Sequence, residues 1–112
     1  MVGTVRVINK ATTQARLPEV AVYVGRPTAL GNPFRIMTES QRGMMVDRYE
    51  PWLLARLAHK DNVAKTAFLE LVERVRRGEH LALACTCAPR RCHADIIKKH
   101  IEIYLEKDNA PS

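Results

Sequence analysis

The run Leu81-Ala-Leu-Ala-Cys85-Thr-Cys87 constrains this chain most. It has no polar alternation in its middle, which is how strands covered on both faces read. We therefore expect a strand over His80–Cys87, followed by a turn at Pro89 and a helix opening at Cys92 or His93. A second apolar run, Val20-Ala-Val-Tyr-Val24, has the same character. Thr4–Asn9, rich in β-branched residues, predicts a first strand.

Helical patterns separate these runs. Thr38 or Ser40 is a candidate cap, after which Met45, Tyr49, Trp52, Leu53 and Leu57 form one stripe, with a kink or second start expected at Pro51. Tyr49 and Trp52 are read as core anchors. Asp61 or Asn62 caps a second helix whose buried stripe is Ala64, Phe68, Leu71, Val72 and Val75, and which stops at Gly78. The last helix shows Ile96, Ile97, His100, Ile101 and Tyr104 on its apolar side. His100 reads as a packed or rim histidine, and the chain from about Lys107 as a frayed polar tail. Strands alternating with helices predict a single α/β domain over residues 1–112. The expected architecture is a small Rossmann-like three-layer fold with a mostly parallel sheet, in which an antiparallel first strand at the edge is admissible.

Composition narrows the setting. The 112 residues carry a formal net charge of +6, which favours anionic partners. No run approaches the roughly 18 apolar residues of a membrane span. The opening Met-Val-Gly-Thr-Val-Arg lacks the apolar core of a signal peptide. With three cysteines, an odd number, the expectation is a reducing cytoplasm and thiols that are free or metal-bound. Oligomeric state is not legible.

Two loops carry the candidate chemistry. Gly25-Arg-Pro-Thr-Ala-Leu-Gly31-Asn32-Pro-Phe34 packs two glycines and two prolines into ten residues directly after a strand, where α/β proteins place ligand loops. The second runs from Cys87 to Asp95. Cys85 and Cys87 face the same way at the end of a strand. Cys92 and His93 enter the first helical turn, whose free amides and positive dipole end suit an anion. Arg90 and Arg91 add guanidinium groups. These surroundings are expected to lower the thiol pKa of Cys92, making it a candidate nucleophile. His93 is the candidate acid or base, and Asp95 either orients it or caps the helix. Adjacent helical residues point about 100° apart, so a Cys92–His93 dyad does not follow from spacing. The alternative is a Cys3His zinc site of Cys85, Cys87, Cys92 and His93.

Together, Tyr23-Val-Gly-Arg26-Pro, Leu30-Gly-Asn32-Pro-Phe34 and Cys85-Thr-Cys87-Ala-Pro-Arg-Arg91-Cys92-His93-Ala-Asp95 resemble a small domain family of unknown function found in bacteria and phages. The resemblance runs from about residue 5 to 104. The Cys-His segment is also similar to that of another uncharacterised, Rossmann-like α/β family, which lacks a counterpart of Cys87. These likenesses imply the fold and no activity. The reading taken forward has the two loops meeting at the carboxyl edge of the sheet around an anionic small molecule, a nucleotide or nucleotide-derived metabolite, with or without catalysis on it. Gly25, Arg26, Gly31, Asn32, Cys87 and Arg91 are the candidate ligand contacts, and Cys92, His93 and Asp95 the candidate catalytic groups. No cofactor is expected apart from the zinc alternative, and nucleic acid is the third-ranked partner.

Overall fold

The apolar runs form a three-stranded sheet in the computed structural model, which describes residues 2–87 and 90–109. In chain order the elements are β1 (Val5–Asn9), β2 (Val20–Tyr23), a single 3-10 turn (Glu39–Gln41), α1 (Arg42–Ala58), α2 (Val63–Arg76), β3 (Leu81–Cys85) and α3 (His93–Asn109). The strand order is β1-β3-β2 and both pairings are parallel. Leu81 lies opposite both Val5 and Val20. β3 is the central strand and is buried at every position, which explains its unbroken apolar sequence. β1 lies at the edge, and it is parallel rather than antiparallel. β2 is the other edge, and Val20 and Ala21 are exposed rather than covered on both sides.

Period-two alternation sorts the sheet's side chains between two faces. Val5, Val7, Val22, Leu81, Leu83 and Cys85 join the main core together with the apolar stripes of all three helices. The opposite face has a smaller cluster of Ile8, Ala82 and Ala84, against which Ala15 and Tyr23 pack. The expected third layer is thus the β1–β2 connection rather than a helix. That connection is fastened by Arg6, whose guanidinium forms a two-pronged pair with Glu19 at 2.9 and 2.7 Å. This hydrogen bonding, with help from the Arg16 amide, holds the Glu19 carboxyl down at about 2.

The helices follow their sequence signals with three differences. Asn62 caps α2 by accepting from the Lys65 amide at 2.9 Å. The α2 stripe of Ala64, Phe68, Leu71, Val72 and Val75 is buried. Gly78, at φ 103°, makes the left-handed turn that ends the segment. The first difference is in α1, which runs through Pro51 without a second start. The second is its buried register, which begins at Val46 rather than Met45. Third, α3 continues to Asn109, past the expected fraying point at Lys107. Residues 110–112 lie outside the described residues, as does Pro89, to which the turn after β3 was assigned. His100 is buried and pairs with Glu50 of α1 at 2.7 Å. Among the described residues no helix is long and apolar enough to cross a membrane.

One buried hydroxyl fixes α1 to the loop after β2. Tyr49, fully buried, donates to the Leu30 carbonyl at 2.7 Å. Tyr49→Phe keeps the ring and leaves that carbonyl without its partner. The expected cost is about 1–3 kcal/mol in chemical denaturation with an unchanged m-value. A loss below about 0.5 kcal/mol would show that the loop does not depend on this bond.

Candidate functional site

The β2–α1 loop and the β3–α3 turn meet at the carboxyl edge of the sheet. They enclose a cavity of about 380 Å³. Gly25, Arg26, Asn32 and Phe34 contribute from the first segment, and Cys87, Arg90, Cys92 and His93 from the second. Tyr23 and Cys85 line it from the strands, and Arg42 and Val46 from α1.

Local chemistry explains how the loop is held. Gly25 has the ring of Tyr23 where a Cβ would stand, with the hydroxyl oxygen 2.4 Å from that position. The Tyr23 hydroxyl itself donates to the Arg26 carbonyl at 2.7 Å. Gly31 packs against the Arg26 backbone, which a Cβ would approach to 2.9 Å. Gly31 therefore shapes the loop behind Arg26 and is not among the described lining residues. Asn32 is buried at the cavity edge. Its Oδ1 accepts from the Phe34 amide at 2.8 Å, and its Nδ2 donates to the Met45 carbonyl at 3.3 Å. Both ends of that side chain hold the loop in shape.

His93 joins the two segments. Its Nε2 lies 2.7 Å from the Val24 carbonyl. A carbonyl only accepts, so Nε2 carries the hydrogen. In the neutral ring Nδ1 is then an acceptor, and it lies 3.4 Å from the Cys92 sulfur. The Tyr49 ring meets the imidazole edge-on at a centroid distance of 5.1 Å. Burial lowers the His93 pKa, and the nearby Arg26 charge acts in the same direction. Sequence spacing left a Cys92–His93 contact open, and the structure makes one.

That contact does not activate Cys92. The residue is 1% exposed, and hydrogen bonding with Cys85 together with burial pushes its thiol pKa up, against the expectation of a lowered one. The Ala94 amide of the helix start acts in the opposite direction and is outweighed. Asp95 caps α3: its carboxylate accepts from the Cys92 amide at 3.0 Å, as the third residue of a capping box does. Asp95 is exposed and does not line the cavity among the described residues. The first amide of the turn is occupied by Asp95 and is not free to hold an anion.

The arginines divide differently from the sequence reading. Arg91 turns towards α1, where it pairs with Asp47 at 2.5 Å and donates to the Gly43 carbonyl at 3.3 Å. Arg90 lines the cavity in its place. Arg42, which the sequence reading passed over, does so too. It forms a two-pronged pair with Glu39 at 2.8 and 2.9 Å, and Arg90 reaches the same carboxylate at 3.1 Å. Arg42 holds the Glu39 carboxyl below the usual range, and Arg90 adds to the effect. Arg42 borders the cavity together with Cys87. A signal for Arg42 was present: it precedes Val46, Tyr49 and Leu53 by four, seven and eleven residues, so it continues their stripe one turn back.

For the zinc alternative, no group of three or more His, Cys, Asp or Glu among the described residues is arranged to hold a metal ion. Both ring nitrogens of His93 are engaged, on Val24 and on Cys92.

A family model matches residues 7–103, a span that includes both loops and all three strands except their first residues at β1. The chain belongs to the DUF4326 family, a domain of unknown function. No curated protein and no solved structure matches this DUF4326 chain.

Because His93 is less basic in the folded chain than in the unfolded one, its contribution to stability is full above the unfolded value of about 6.5 and is lost as pH falls below it. The His93 ring should titrate below 6.5 by NMR, with the hydrogen on Nε2. Unfolding free energy should fall as pH drops below about 6.5, and His93→Gln should flatten that slope. A midpoint at or above 6.5 would contradict the buried neutral ring.

Proposed function

We propose that this DUF4326 domain binds an anionic, phosphate-bearing small molecule, a nucleotide or nucleotide-derived metabolite, in the cavity between the Gly25–Phe34 loop and the Cys87–Asp95 turn. The observation that carries this reading is the charge of the lining. Arg26, Arg42 and Arg90 all border the cavity, and no Asp or Glu does among the described residues. Guanidinium groups match phosphate oxygens in geometry and stay charged at any physiological pH. A volume of about 380 Å³ falls within the usual range of small-molecule pockets, about 300–1,000 Å³. Tyr23 and Phe34 supply aromatic walls suited to a flat ring. The anion is held by side chains, since the first amide of the α3 turn is taken by Asp95.

The net charge of +6 agrees with an anionic partner, and three cysteines held outside any disulfide fit a reducing cytoplasm. Thermal unfolding in the presence of nucleoside mono- and diphosphates tests the reading. A ligand at 100 times its Kd stabilises the fold by about 2.7 kcal/mol. Arg26→Ala and Arg90→Ala should each weaken binding about 10-fold, or about 1.4 kcal/mol. If millimolar phosphate compounds leave the Tm unchanged, the reading fails. Salt-sensitive retention of DNA or RNA without any small-molecule shift would replace it with a nucleic-acid module.

A further inference from the structure

Three thiols border this cavity, and they are not equivalent. Cys85 and Cys92 are each 1% exposed and belong to the buried core. Cys87 is only partly buried and lines the open space. The Arg42 guanidinium lines the same space. The Cys87 carbonyl accepts from the Arg90 amide at 2.9 Å, a turn that brings Arg90 back beside it. Reactive cysteines occupy electropositive, partly open surroundings, and buried ones are inert. Cys87 meets both conditions, whereas Cys92, the candidate from sequence, meets neither.

We propose that Cys87 is the nucleophilic thiol of this cavity and that it reacts with an electrophilic carbon carried on an anionic molecule. The substrate class rests on the anion-binding reading; the identity of the thiol does not. In the step, the Cys87 sulfur attacks the carbon and an S–C bond forms. The bond from that carbon to its leaving group breaks, the leaving group departs with the electron pair, and the thiol proton passes to water. Arg42 and Arg90 hold the anionic group beside the sulfur. His93 is a positioning residue in this scheme, since its Nε2 is bonded to Val24 and its Nδ1 faces Cys92. Cys85 and Cys92 form the closed floor beneath the reacting atom.

Alkylation of the intact chain with iodoacetate and iodoacetamide, read residue by residue by mass spectrometry, tests this. Both reagents form an S–C bond and release iodide, but only iodoacetate is an anion. Cys87 should be alkylated first, ahead of Cys85 and Cys92. At Cys87 iodoacetate should outpace iodoacetamide, with the order reversed after unfolding in urea. Electrostatic focusing by a charged cleft raises local anion encounter by about 10-fold or more. Arg42→Met should therefore remove about a 10-fold iodoacetate preference, and inorganic phosphate should suppress it. Arg90→Met, at an exposed side chain, serves if the Arg42 variant does not fold. First labelling at Cys85 or Cys92, or a Cys87 rate no greater than in urea, overturns the proposal. So does one equivalent of purified-in zinc that disappears with Cys87→Ser. Stabilisation by phosphate with an inert Cys87 overturns this inference and leaves the binding reading standing. Fast labelling of Cys87 with no preference for iodoacetate overturns the anionic substrate class.

Discussion

The hydrogen bond from His93 to the Val24 carbonyl is the constraint on which the rest of this site depends. Val24 follows β2 directly, and its amide continues the sheet by donating to Ala84 at 3.0 Å. Its carbonyl would be the next to lack a partner, in a residue 1% exposed. A buried backbone acceptor without a donor costs about 1–3 kcal/mol. His93 supplies the donor from the first turn of α3. One side chain therefore satisfies the end of a strand and fixes where the next helix begins. Tyr49 braces the arrangement from α1, with its ring against His93 and its hydroxyl on Leu30. The cavity is the space that remains between segments tied together in this way.

That packing sorts the site by polarity. Its floor consists of groups whose neutral forms are favoured by burial: the Cys92 thiol is pushed up and the His93 imidazole is pushed down. Its rim consists of charges that stay near water. Arg26 and Arg90 are exposed. Arg42 is more enclosed, at 12% side-chain exposure, and has Glu39 as its counter-ion. A charge taken out of water is tolerated when it is paired and hydrogen-bonded. The same pairing keeps Arg42 at the cavity wall that Cys87 also lines, so the charged and thiol halves of the site meet there.

Much of the fold was legible because it depends on short-range patterns. The apolar run at Leu81–Cys85 marked the central strand, and the spacing from Ala64 to Val75 marked the buried side of α2. The loop meeting point followed from strand-end placement alone. The parts that were not legible depend on which way side chains turn in irregular backbone. Arg90 and Arg91 are adjacent and chemically identical, and only the path of the turn decides that Arg90 faces the cavity while Arg91 reaches Asp47. At Pro51 the sequence pattern points to a kink or a second start, and the structure shows no second start. A proline breaks a helix when its missing amide and bulky ring go uncompensated, but Pro51 is exposed in a helix anchored on both sides by Tyr49 and Leu53.

Cys92 gives the most instructive discrepancy. Position at a helix start, next to arginines and a histidine, argues for a stabilised thiolate. The structure buries its side chain in the core with Cys85, while Asp95 takes the amide, Arg91 turns away to Asp47, and Arg90, on the cavity, pairs with Glu39. Sequence proximity thus put the right groups in the right place but not around the right sulfur. One guanidinium that shares the cavity with Cys87 comes from Arg42, forty-five positions earlier in the chain. Adjacency in sequence does not decide where a charge acts: Arg90 and Arg91 reach carboxylates far back in the chain, on Glu39 and Asp47. Arg42 pairs instead with Glu39, three residues before it, and the start of α1 sets that pair at the wall of the cavity that Cys87 also lines.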